Sequence, residues 1–135
     1  MSFRTMLFPG MKVAAIDSDG DRAIIDIDYA IIIKNMDGAE QDTKWYGKGR
    51  MVVEDLVIDS EDWPPMPATV SGAGIKDNQI TYRDEVVIPV DFFGNVGITL
   101  RFEGSDSPVR FVGERLTFDL DGHEKYIEHI KPDQG

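Results

Sequence analysis

Apolar and polar residues alternate along most of the chain. Between Arg22 and Lys34, the residues Ile25, Ile27, Tyr29, Ile31 and Ile33 fall on one face of an extended strand, and Asp26 and Asp28 fall on the other. A helix would scatter the two aspartates around the apolar stripe, and the β-branched content also favours a strand. The pattern returns later, where Val86, Ile88, Val90 and Phe92 alternate with Val87, Pro89, Asp91 and Phe93. Ile98, Leu100 and Phe102 repeat it, as do Leu116, Phe118 and Leu120. No stretch carries the i, i+3, i+4, i+7 stripe of an amphipathic helix. The pattern predicts an all-β fold: a single antiparallel domain of about seven or eight strands, a barrel or sandwich built from hairpins, with no substantial helix.

Turn chemistry divides the strands. Asp19-Gly20, Asp37-Gly38, Gly94-Asn95 and Asp121-Gly122 tolerate positive φ, as tight hairpins require. Asp77-Asn78 and the segment Gly104-Ser105-Asp106-Ser107-Pro108 are looser versions of the same signal. Strands are expected over roughly 11–17, 22–34, 43–59, 68–76, 79–92, 96–103, 109–120 and 123–130. Pro89 cannot donate to a ladder and should mark an edge or a bulge. Pro64, Pro65 and Pro67 impose polyproline-like geometry on the stretch 60–67. Neither flanking half has enough strands to cover itself, so that stretch reads as a crossover inside one domain spanning residues 1–135.

Charge and composition narrow the functional classes. The chain of 135 residues carries 25 Asp+Glu against 14 Lys+Arg, a formal net charge of −11. That field repels phosphate backbones and argues against nucleic acid as a partner. With no Cys, disulfide frameworks, thiol catalysis and zinc–thiolate sites are excluded. The longest apolar run, Tyr29 to Ile33, is far too short for a membrane helix. The first ten residues lack the apolar core of a signal peptide, so the expected location is cytoplasmic, with no membrane partner.

Few residues offer catalytic or ligating chemistry. The loop Asp17-Ser18-Asp19-Gly20-Asp21 begins like a calcium loop, but Arg22 and Asp28 stand where an EF-hand needs Gly and Glu. It reads as a solvated hairpin turn. The two histidines, His123 and His129, are six apart in one expected strand, so their Cα atoms lie about 20 Å from each other. A two-residue turn at Asp121-Gly122 would set Glu114 opposite His129 and Arg115 opposite Glu128, as cross-strand ion partners. The same register opposes Asp119 and Glu124, which points to a longer loop. Neither metal nor cofactor is expected. Ser71 and Ser105 lack a nucleophile elbow. The acids Asp26 with Asp28, Glu54-Asp55 and Asp84-Glu85 read as surface charge in so acidic a chain.

Two segments remain as candidate sites. Tyr46-Gly47-Lys48-Gly49-Arg50 is the most basic spot, and Trp45, Tyr46, Lys48 and Arg50 are candidate ligand or anion contacts. The competing reading is a glycine-kinked strand whose long side chains cover apolar surface. From Met51 through Ile75 there is no Lys or Arg, whereas Glu54, Asp55, Asp59, Glu61 and Asp62 supply negative charge and Trp63 follows directly. An acidic face beside an aromatic suits a basic protein partner, because charge steers and the aromatic anchors. Otherwise Trp63 plugs one end of the barrel and the acids keep the domain soluble. The Pro64-x-x-Pro67 spacing is a weak ligand signal.

The leading functional expectation is a non-enzymatic interaction module that binds a basic protein through residues 54–63. A small acidic inhibitor of a basic toxin or nuclease is one form of it. The alternative is a small-ligand barrel with Trp45, Tyr29, Tyr46 or Tyr82 lining a cavity. A carboxylate enzyme would need a pocket holding two carboxylates with raised pKa values. Exposed edge strands offer a route to homo-oligomers.

Overall fold

In the computed structural model, residues 3–35, 42–60, 62–122 and 124–130 are described. They form the strands β1 (Phe3–Ser18), β2 (Arg22–Asn35), β3 (Asp42–Glu54), β4 (Ile58–Asp59), β5 (Ala68–Asp77), β6 (Ile80–Arg83), β7 (Glu85–Ile88), β8 (Val90–Phe102), β9 (Val109–Leu120) and β10 (Lys125–Ile130). No helix occurs among the described residues, so none is long and apolar enough to cross a membrane. Strands β3, β2, β1, β5, β8 and β9 are hydrogen-bonded in that order, and β9 pairs back to β3 to close a six-stranded antiparallel barrel. Closure gives each wall strand a neighbour on both sides without a partner chain.

Three neighbouring strands are too long for the barrel and bend out of it. The β1–β2 register shifts between Leu7 and Lys12, around Pro9 and Gly10, where Gly10 takes a φ of 89°. The β2–β3 register shifts between Ile27 and Ala30. The outer halves of these strands continue as an annex sheet, edged by β7 on β1 and by β10 on β3. The bulge in β2 also changes which residues are buried. Ile25 and Ile27 face the core, but beyond the bulge Ala30 and Ile32 join that core, whereas Ile31 is buried outside its main cluster and Ile33 is half-buried. The single apolar face expected through Ile33 is therefore corrected to two faces in opposite phase, because one extra residue inverts the period-two pattern.

Inside the barrel, Val13, Ile25, Met51, Val53, Ile75, Ile98 and Phe111 are packed together, and no polar side chain is buried among the described residues. Two expected strands are interrupted. The 43–59 strand breaks at Asp55, whose φ is 57°, and the 79–92 strand breaks at Asp84 (φ 64°) and at Pro89. Pro89 sits where the chain leaves its pairing with β1 and joins β9. Gly94-Asn95 is a bulge within β8, not a turn, with the register shifting between Phe93 and Val96. Asp37-Gly38 lies outside the described residues.

The largest correction concerns the C-terminal strand. β10 does not fold back on β9; it pairs with β3, placing Lys125 opposite Tyr46, Glu128 opposite Lys44 and His129 opposite Thr43. The edges of β9 are already taken by β8 and by the second half of β3, so no edge remains for a hairpin. Arg115 instead faces Asp91 at 3.2 Å and Glu54 at 4.0 Å. Glu124, freed from Asp119, lies 2.8 Å from Arg4 and is also paired with Lys34, so it ties the start of β10 to β1 and β2.

A Cβ on Gly113 would sit 2.3 Å from the Glu54 carbonyl oxygen, a backbone atom that cannot swing aside. Gly113→Ala is expected to cost about 1–3 kcal/mol, read as a lower urea midpoint. For Glu124, burial pushes the carboxyl up, but the hydrogen bonds and charges of Lys34 and Arg4 outweigh it and hold the group below its usual 4.5. A depressed native value stabilises the fold above the unfolded pKa, and that contribution is lost as pH falls through the native one. Glu124→Gln should cost roughly 1–3 kcal/mol at pH 7, with the gap to wild type narrowing as pH falls below the usual carboxylate range in urea titrations at stepped pH.

Candidate functional site

The acids of the 54–62 segment do not stand alone. As β3 leaves the barrel, Asp55 turns the chain, and the following residues pack against the β1–β2 hairpin. The Leu56 amide donates to the Asp21 carbonyl (3.0 Å), and the Ser18 hydroxyl donates to Asp59 Oδ1 (2.8 Å). The Val57 amide donates to Val112 across the short β4–β9 pairing (2.7 Å). The hairpin tip thereby adds Asp17, Asp19 and Asp21 to Asp55 and Asp59 at one end of the barrel. Asp17, Asp21 and Asp55 are exposed and make no ion pair among the described residues. Within this acidic end two aliphatic side chains face water, Val57 at 76% and Ile58 at 40% exposure.

Local hydrogen bonds shape the tip. Asp19 Oδ1 accepts the amides of Asp21 (2.9 Å) and Arg22 (2.8 Å). These backbone bonds, aided by the Arg22 charge, hold the Asp19 carboxyl below its usual range. The carboxylate is turned into its own loop, as in an Asx turn. No group of three or more His, Asp or Glu among the described residues is arranged to hold a metal ion.

The other residues of the segment take different places. Glu54, half-buried at the end of β3, stands opposite Arg22 in register and 4.0 Å from Arg115. The charge missing from 51–75 is thus supplied at this position by other strands. Asp62 is exposed, and Glu61 lies outside the described residues. Trp63 is half-buried, with its ring 6.1 Å from that of Phe111 and packed on the barrel core. Its environment is that of a plug at the barrel wall.

The basic segment is dispersed as well. Lys48 pairs with Asp28 (3.3 Å) and Arg50 with Asp26 (2.9 Å), so both cations already have carboxylate partners. Tyr46 stacks on Tyr29 at 5.2 Å. Trp45 faces the other side of the sheet, under Lys34 at 4.0 Å and edge-on to Tyr126. Tyr82 stacks on Phe92 elsewhere. The four aromatics expected to line one cavity thus lie in three places, and none of them lines the grooves beside Gly49, Pro89, Gly74, Asn78 or Thr5. The groove beside Gly49, about 470 Å³, gathers Asp26, Asp28, Asp119 and Asp121 around Arg50.

In the sequence the 17–21 hairpin and the 54–63 segment are separate stretches, and neither points to the other. Their union is set by the β3–β9 closure, for which the sequence holds no local signal. Comparison with models of known protein families, with curated proteins and with solved structures finds no match.

If Trp63 serves as a plug, its removal acts on stability. Trp63→Ala is expected to destabilise the domain by roughly 2–4 kcal/mol, a little below the cost for a fully buried ring, measured by urea denaturation. An unchanged midpoint would show that the ring contributes little to the core.

Proposed function

We propose that the protein is a cytoplasmic, non-enzymatic interaction module that binds a basic protein through the acidic end of its barrel. The observation that carries this reading is the apposition of the Asp17–Asp21 hairpin and the Asp55–Asp59 turn around exposed Val57 and Ile58. Exposed carboxylates of one sign raise the encounter rate with a cationic surface, and they act most strongly at low salt. The aliphatic pair supplies the desolvated contact that charge alone does not. In this reading the anchor is Val57 with Ile58, whereas Trp63 packs on Phe111 and the core.

The acids to reverse are those that bear no structural bonds. The Asp17→Lys/Asp21→Lys double variant leaves the Asp19 turn, the Ser18–Asp59 bond and the Glu54–Arg115 pair intact. Tagged wild type and variant are to be used as baits in source lysate at about 50 and 300 mM salt, with mass spectrometry. The expected result is a stoichiometric basic protein held by wild type at low salt, weakened at high salt and lost from the equally stable variant. Equal capture by the variant, or no basic partner at either salt, would overturn the proposal.

A further inference from the structure

The opposite character appears on one wall of the same barrel. Where β6, β5, β8 and β9 lie side by side, a groove of about 340 Å³ is lined by Gly74, Lys76, Thr81, Thr99, Arg110 and their neighbours, none of them acidic. The grooves beside Gly49, Pro89, Asn78 and Thr5 each have at least one carboxylate in their lining. Lys76 and Arg110 make no ion pair among the described residues, in contrast to Lys48, Arg50 and Arg115. Register extends the basic wall beyond the groove, because exposed Arg83 stands opposite Gly74 and exposed Arg101 opposite Gly72. Asp84 lies at the Gly72 end, where its Oδ1 accepts the Ala73 amide at 2.9 Å.

We infer that this wall binds a compact soluble oligophosphate. Lys76, Arg83, Arg101 and Arg110 gather on one wall without an ion pair among the described residues, so a chain of net charge −11 carries a local positive field that attracts an anion. Arg83 and Arg110 stand three strands apart, about 14 Å at the backbone, so the wall spans a ligand with several phosphates. The floor between them is low: a Cβ on Gly74 would find its nearest neighbour, Thr81 Cγ2, at 3.8 Å, so the site is open to a phosphate. The hydroxyls of Thr81 and Thr99 add donors beside the guanidinium and ammonium groups. The groove's volume falls in the range of small-molecule sites. No aromatic lines it, so it lacks the stacking platform of a single-strand nucleic-acid site. At physiological salt, charges beyond about 8 Å are screened, so a compact anion responds to the local cations, whereas an extended polyanion also meets the acidic remainder of the surface.

The test is a ¹H–¹⁵N NMR titration with sodium tripolyphosphate, which needs no prior identification of a ligand. Shifts should centre on Lys76, Thr99 and Arg110, and affinity should fall as salt rises. Lys76→Glu/Arg110→Glu, both at the surface, should bind at least about tenfold more weakly while keeping a dispersed spectrum. Lys76→Gln/Arg110→Gln serves if the reversal disturbs folding. Lys48→Glu/Arg50→Glu should bind as wild type does. Absence of saturable shifts on this wall, wild-type affinity in the Lys76/Arg110 variants, or tighter binding of a 12-base-pair DNA duplex than of tripolyphosphate would each overturn the proposal.

Discussion

The pairing of the second half of β3 with β9 is the constraint on which the other features depend. It joins the first three strands to the last wall strands and turns a sheet into a barrel. It requires close backbone approach, which explains why glycine stands where β9 passes beneath the end of β3: a side chain at Gly113 would occupy the space of the Glu54 carbonyl. It also occupies the last free edge of β9. The chain leaving β9 at Asp121 therefore finds another strand, the first half of β3, which β9 does not cover. Glu124 then lies against Arg4 and Lys34, so a charged residue, poorly suited to a barrel wall, becomes the tie between the annex and the C-terminal strand.

Closure also sorts the charge. The strands that carry Lys76, Arg83, Arg101 and Arg110 are contiguous in space, although they come from four separate segments of sequence. The acids of the β1–β2 tip and of the β3–β4 turn meet at one end of the barrel for the same reason. A uniformly acidic composition thus resolves into an acidic end and a basic wall. The two faces make different proposals possible for one small domain, one toward a cationic protein and one toward a compact anion, and neither shares a residue with the other.

Much of the architecture was legible in the chain because alternation is a local property. Ile25 and Ile27 against Asp26 and Asp28 identify a strand with one wet face, and Asp19-Gly20 and Asp77-Asn78 identify turns, from a few residues each. The misreadings share a cause. Gly94-Asn95 and Asp121-Gly122 have the chemistry of a hairpin, yet one is a bulge within β8 and the other a link to a distant strand. Positive-φ residues signal that the backbone can turn, not which strand it will meet. The site was partly visible: Glu54, Asp55, Asp59 and Asp62 stood out by charge alone, but the Asp17–Asp21 hairpin that joins them and the aliphatic Val57–Ile58 tip did not.

The sequence by itself determined the all-β class, the approximate strands, the acidity and the absence of thiol chemistry, since period, turn residues and composition are read without knowing any long-range contact. Only the tertiary structure decided that the sheet closes as a barrel, that a bulge in β2 shifts which of its residues enter the core, that Lys48 and Arg50 are paired while Lys76 and Arg110 have no ion pair among the described residues, and that Trp63 packs on the core. Each of these depends on which strands become neighbours. Pairing is chosen by the burial and hydrogen bonding of the whole set of strands at once, and no short stretch of residues carries that information.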